Sequence, residues 1–204
     1  GYSLLKSNLN EKEHAFIRNE LTVKAYIPKS PVQPDPFSLY RESPNKFYVP
    51  RYFGQDNFGD FSENKLSMGD NIDIEFSGEL REYQINIVNK YIHFVKDSGG
   101  GLLDVDPGKG KTVMGLYIIS KLKKKTLVVV HKSFLLNQWI ERIQQFLPTA
   151  RVGKIQGQII DIEDKDIVIG MLQSLSQKDY PDNLFDSFGL SIYDETHHLG
   201  AEVF

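Results

Sequence analysis

The stretch Asp106-Pro107-Gly108-Lys109-Gly110-Lys111-Thr112 lies between a short apolar run, Leu102 to Val105, and a segment of helix-forming residues that begins at Val113. Glycine adopts backbone conformations that a side chain forbids, so Gly108 and Gly110 allow successive backbone amides to turn toward one point. A strand over Leu102–Val105, this turn, and a helix starting at Lys111-Thr112 would gather those amides and the positive end of the helix around a phosphate. Lys111 adds a full charge for the outer phosphates of a nucleotide, and Thr112 adds a hydroxyl for Mg²⁺. In one place the pattern departs from the commonest phosphate-binding loop: Val105 stands where a first glycine is usual. Gly99-Gly100-Gly101 precede the expected strand, at the wrong end for phosphate, and read as plain loop.

Such a loop needs a sheet behind it. The 204 residues are 40% hydrophobic, enough for one large domain or a medium one with a smaller companion. From Gly78 onward helix and strand alternate. Glu79–Asp97 places Tyr83, Ile87, Tyr91 and Phe94 or Val95 at helical spacing, and "GLLDV", "TLVVV", "DIVIG" and "GLSIY" follow as short apolar segments. Short β-branched runs separated by helix-length segments predict an α/β fold with a mostly parallel sheet covered on both faces. Residues 73–204 are assigned to that domain and 1–72 to an N-terminal accessory region.

The accessory region has a different texture. It opens on a helix-like stretch, Glu11–Leu21, and passes through Pro28, Pro31, Pro34 and Pro36, which forbid long regular structure. Aromatic residues on both sides of Ser43-Pro44-Asn45 then predict a β-hairpin. Arg41, Lys46, Tyr48, Arg51 and Tyr52 could form a stacking platform for nucleic acid, although alternating aromatics on a hairpin more often pack against a neighbouring domain, and that packing is favoured. The run Lys121–Lys125 reads as the solvated end of a helix.

Charge and cysteine usage narrow the partners. A net charge of −3 gives no global basic field, so a nucleic acid would have to be held by a local patch. Without cysteine the chain has neither disulfides nor a thiolate metal site, which suits a reducing, intracellular compartment. No apolar run reaches membrane-spanning length and no basic-then-apolar leader is visible, so no membrane partner is expected. The chain begins at Gly1 without methionine and is expected to be a piece of something longer.

A second constellation follows "GLSIY". Asp194 and Glu195 come about eighty residues after the glycine loop, at the expected C-terminal end of a strand, where open α/β sheets place their ligands. Asp194 would hold Mg²⁺ through water and Glu195 would polarise an attacking water. His197 and His198 are neighbours with no third ligand near in sequence, which does not favour zinc.

The segments "LREYQ", "DPGKGKT", "VVVHKSFLLNQW", "IGMLQSLS" and "DETHHLGA" occur in the order of motifs Q, I, Ia, Ib/Ic and II of the superfamily 2 DExH helicases. The chain resembles the XPB-like branch and the related helicases of large DNA viruses, strongly over Phe76–Ala201 and weakly before it. The helicase form of the phosphate loop tolerates a small apolar residue at the position of Val105. The resemblance implies a RecA-like lobe that binds ATP and Mg²⁺. Pro107, Gly108, Lys109, Gly110, Lys111, Thr112 and Val113 would cradle the phosphates, while Gln84 would read the adenine edge between Phe76 and Arg81. Lys111, Asp194, Glu195 and His197 would form the catalytic set. His131, Lys132, Gln138, Gln173 and Ser174 would face the backbone of a nucleic acid, with DNA favoured over RNA, and Trp139 and Leu135 would be core. It also implies a second RecA-like lobe of the full-length chain supplying arginine fingers, and, for a viral member, a viral factory or virion as location. A different P-loop enzyme such as a kinase, or a module that only binds nucleic acid, remains the alternative.

Overall fold

Asn10 starts the first helix, α1 (Glu11–Glu20). Its side-chain oxygen accepts from the backbone N–H groups of Lys12 and Glu13, each at 3.0 Å, and the Glu13 carboxylate returns a bond to the Asn10 N–H at 2.8 Å. Donors that a helix leaves open are thus met within one turn. In the computed structural model, which describes residues 1–24, 26–28, 31–181 and 183–196, this helix belongs to the first of two compact units, Gly1–Lys65 and Leu66–Phe204.

The first unit also holds β1 (Tyr2–Leu5), β2 (Thr22–Val23), β3 (Phe37–Ser38), β4 (Arg41–Glu42), β5 (Lys46–Val49) and α2 (Arg51–Phe58). The expected hairpin is β4 and β5, and β5 pairs antiparallel with β1 on its other side. Phe47 and Val49 are buried with Ile17 and Leu21, so one face of the hairpin closes the core of this unit. Arg51 and Tyr52, expected on the hairpin, lie on α2 instead. Pro50 has a fixed φ and no N–H to give to a strand, which suits the position just ahead of a helix. Gly54 brings α2 onto β1: a Cβ there would fall 2.3 Å from Cγ of Tyr2.

The second unit contains α3 (Glu82–Ser98), α4 (Lys111–Leu122), β6 (Thr126–Val130), α5 (Ser133–Phe146), β7 (Val152–Gln156), β8 (Ile159–Asp161), β9 (Ile167–Met171), α6 (Leu172–Ser176) and β10 (Leu190–Tyr193). Its sheet has the order β10-β6-β9-β7-β8, parallel throughout except for β8. β6 and β9 are buried along their whole length. Val128 and Val130 face a core shared with Leu116 and Ile119 of α4 and Trp139 and Ile143 of α5, whereas Leu127 and Val129 face Leu172, Leu175, Leu184 and Phe188. The fold is therefore α/β with a mostly parallel sheet covered on both faces.

Three local expectations change. Leu102–Val105 is not a strand: among the described residues none pairs with the outer edge of β10. Leu103 and Val105 instead pack against Val88, Met114 and Ile118 of α3 and α4, while Leu102 stays largely exposed. Lys125, expected on a solvated helix end, is buried, with its ammonium donating to the Ile162 carbonyl at 3.0 Å. Asp70 and Ile72 are hydrogen-bonded to Ser187, Lys123 and Lys125, so the division between units falls several residues before Asp73.

In the first unit one carboxylate gathers two cations. Glu42 lies 2.7 Å from both the Arg18 guanidinium and the Lys6 ammonium. Hydrogen bonds from Arg18 and then Lys6 hold its carboxyl at about 2, against an ordinary 4.5. Because the folded value is depressed, the stabilisation is full above the ordinary carboxylate range and is lost as pH falls toward 2. Glu42→Gln should therefore weaken this unit by about 1 kcal/mol at pH 7 and by almost nothing near pH 2. Hydrogen exchange of the β5 amides, compared between the two proteins across that range, measures the difference.

Candidate nucleotide-binding site

Gly108 and Gly110 both lie in the left-handed region, with φ of 78° and 81°, and Gly110 is the residue from which α4 starts. A Cβ on Gly110 would fall 2.6 Å from Nε2 of Gln84, so glycine is what lets α3 approach the loop. Nothing lies within 4 Å of a Cβ built on Gly108, and that side of the loop is open to a ligand. The Lys109 carbonyl is held from behind by two donors from the first turn of α3, the Tyr83 hydroxyl at 3.0 Å and Gln84 Nε2 at 2.9 Å. Oε1 of Gln84 accepts from the Arg81 N–H at 2.9 Å. Gln84 is buried, and its amide still has one N–H and one lone pair beyond these bonds. Lys111 folds back over the loop and donates to the Val105 carbonyl at 3.2 Å.

Facing the loop is the end of β10. The Asp194 N–H continues the ladder to the Val129 carbonyl at 3.0 Å, and its carboxylate accepts from the indole N–H of Trp139 at 2.9 Å. Glu195 follows in the left-handed region, with φ of 57°, and is exposed. Val105, Lys111, Thr112, Asp194 and Glu195 line one cavity of about 370 Å³, together with Gly115 and Trp139. Residues brought near each other only by spacing arguments in the sequence thus share a wall-to-wall site. His197 lies outside the described residues.

Other expected site residues have structural duties. The Phe76 ring is stacked on Phe146 at 5.5 Å between centroids and meets Tyr117 edge-on at 5.3 Å, which fastens the segment before α3 to α4 and α5. Arg81 is exposed just ahead of α3, with one guanidinium N–H 3.4 Å from the Tyr83 hydroxyl. Lys132 and Gln138 are exposed on and beside α5, where a polymer could reach them. His131 is half-buried, and its carbonyl accepts from Gln173 Nε2 at 2.9 Å. Ser174 accepts from the Gly157 N–H at 2.9 Å, in the turn between β7 and β8. Gln173 and Ser174 therefore tie the loop after β9 to its neighbours.

Two residues of the site carry roles that the sequence did not reveal. Tyr83 is visible only as an apolar helix position, yet its hydroxyl anchors the glycine loop at the Lys109 carbonyl. Trp139 lies in the core, as its helical spacing predicts, and the need of a buried indole N–H for an acceptor is the signal that points to a partner.

Residues 77–204 match the family model described as "Type III restriction enzyme, res subunit". A protein of Acanthamoeba polyphaga mimivirus, named a candidate ATP-dependent RNA helicase, is 36% identical over 211 residues, spanning 100% of this chain and 40% of its own length. One of Halobacterium salinarum, named a candidate DNA 3'-5' helicase Rad25, is 29% identical over 145 residues, covering 69% of this chain and 23% of its own. The chain thus spans less than half the length of these relatives. The UvsW helicase of bacteriophage T4 has a similar fold, with a TM-score of 0.60 at 18% identity over 94% of this chain and 78% of that one. With the family model matched over residues 77–204 and a mostly parallel sheet behind the glycine loop, the chain belongs to the superfamily 2 helicases, in the family described by the res subunit of type III restriction enzymes.

Proposed function

We propose that this chain is the ATP-binding lobe of a nucleic-acid-dependent ATPase that acts as a helicase or translocase. The observation that carries the reading is the single cavity of about 370 Å³ lined by Lys111 and Thr112 on one side and Asp194 and Glu195 on the other. The open face at Gly108 and the start of α4 suit the phosphates of ATP. Lys111 would exchange the Val105 carbonyl for a phosphate oxygen, a stronger charge-assisted bond. The Thr112 hydroxyl and the Asp194 carboxylate would offer oxygen donors suited to Mg²⁺, which would neutralise charge on the outer phosphates. Glu195 would accept the proton of the attacking water. Gln84, with its remaining donor and acceptor, would recognise adenine, and the exposed Arg81 would border the base. His197 would join the catalytic set.

Lys132 and Gln138 would hold the backbone of the polymer beside the C-terminal edge of the sheet, where His131, Gln173 and Ser174 fix the loops. The names of the relatives divide between RNA and DNA, so the proposal is for the phosphate backbone common to both. A second lobe of the full-length protein would complete the site, in keeping with the greater length of the relatives.

In the full-length protein Lys111→Ala should lower polymer-stimulated ATP hydrolysis at least ~100-fold while the melting midpoint stays within a few degrees. Near-normal turnover would remove the assignment. Glu195→Gln should still bind ADP with Mg²⁺ yet lose ~10²–10⁴-fold in turnover, because an amide orients water but takes no proton. Lost nucleotide affinity in that variant would place Glu195 outside the chemistry.

The two anchors of Lys109 make separable contributions. Tyr83→Phe should weaken ADP and GDP binding alike, by severalfold, since it loosens only the loop. Gln84→Ala should in addition erase an adenine preference of roughly tenfold, the difference left by one unpaired polar group at the base. Titration of both nucleotides into the three proteins decides the matter, and an unchanged ADP to GDP ratio in Gln84→Ala would confine Gln84 to anchoring.

A further inference from the structure

Trp139 is 2% exposed, in the middle of α5, and packed beside α4 at Gly115: a Cβ on Gly115 would lie 3.3 Å from the far edge of the indole ring. Gly115 is one helical turn beyond Lys111 and Thr112. As filling for this core, a leucine or phenylalanine would serve. What only tryptophan adds is a donor with no acceptor character, fixed on a rigid ring. That donor is directed at Oδ2 of Asp194, 2.9 Å away and 55 residues along the chain. A buried N–H without a partner is costly, and a bond to a carboxylate is among the strong ones, so each group restricts the other. One oxygen of Asp194 is thereby held, which restricts rotation of the carboxylate beside the cavity that both residues line.

We propose that Trp139 is a positioning residue for hydrolysis, whose indole N–H fixes the Asp194 carboxylate in the orientation that receives Mg²⁺. The inference rests on the reading of Asp194 as the residue that holds the metal. Mg²⁺ tolerates little departure from ideal octahedral geometry, so a carboxylate free to rotate would hold the ion or its bound water less well even when the charge is unchanged. The same bond ties α5, whose first turn follows Lys132, to the end of β10. The helix that would meet the polymer and the carboxylate that would hold the metal are thus one rigid assembly.

Trp139→Phe keeps the ring in the core and removes only the donor. In the full-length protein at saturating ATP this variant should lose about tenfold in turnover with Mg²⁺ and require severalfold more Mg²⁺ for half-maximal rate, with KM for ATP nearly unchanged. Mn²⁺, less demanding in geometry, should recover most of the loss. A rate loss that Mn²⁺ does not relieve, or an unaltered Mg²⁺ requirement, would make Trp139 a packing residue only. Asp194→Asn run in parallel separates the two levels: it should abolish Mg²⁺-dependent turnover, and if it does not, the reading of the metal site itself fails.

A second measurement needs no enzyme turnover and no change at Trp139. Tryptophan occurs once in this chain, so its emission reports on the surroundings of this one indole. Adding Mg²⁺ to the ADP-saturated 204-residue chain should shift that emission, and Asp194→Asn should remove the shift. Constant emission in the unsubstituted chain, or the same shift in Asp194→Asn, would overturn the proposal.

Discussion

Val128 pairs with Ile169 on one side and Ile192 on the other, and all three strands run the same way. Parallel pairing forces β6, β9 and β10 to end at a single edge of the sheet. The residues that follow them, His131-Lys132, Leu172–Ser174 and Asp194-Glu195, must therefore emerge side by side. Reversing one of these strands would send its loop to the far edge, with no local rearrangement able to recover it. The burial of β6 and β9 on both faces makes such a reversal costly, since every side chain of both strands sits in one core or the other. Position at the site is thus inherited from packing in the sheet.

This dependence explains which parts of the molecule were legible in the sequence. "TLVVV", "DIVIG" and "GLSIY" announce themselves because strands buried on two faces need continuous apolar runs. β7 and β8 do not, since Gly153, Lys154, Gln156 and Gly157 dilute the pattern. Their pairing depends on contacts invisible locally: a Cβ on Gly153 would fall 2.0 Å from the Asp161 carbonyl, and Gly157 turns the hairpin with φ of 57°. Leu102–Val105 has the composition of a strand, but composition does not say whether its apolar side chains meet a sheet or two helices, and they meet α3 and α4.

The candidate site divides in the same manner. Lys111-Thr112 and Asp194-Glu195, picked out in the sequence by residue type beside glycines and at a strand end, do line one cavity. Tyr83 and Trp139 were not, because each acts through one hydrogen bond to a distant partner, and a single bond leaves no periodic trace. Gln173 and Ser174 show the converse. Polar residues after a strand look alike whether they meet a polymer or their own chain, and here they hold the His131 carbonyl and the Gly157 amide.

The loop itself is built with one fixed end and one exchangeable contact. At Lys109 the carbonyl is held by two side chains of α3, and Gly110 permits that approach only because it has no Cβ. At Lys111, two residues on, the ammonium donates to one neutral acceptor among the described residues, the Val105 carbonyl. A phosphate offers a charged acceptor in exchange, so the lysine can turn to a ligand while the peptide that shapes the loop stays where Tyr83 and Gln84 put it. On the proposed reading, anion binding would require one side chain to move rather than a backbone to reorganise, because the ordering of the loop has already been met by folding. Trp139 extends the same logic across the cavity, since its indole N–H holds one oxygen of Asp194 by folding alone, before any ligand arrives.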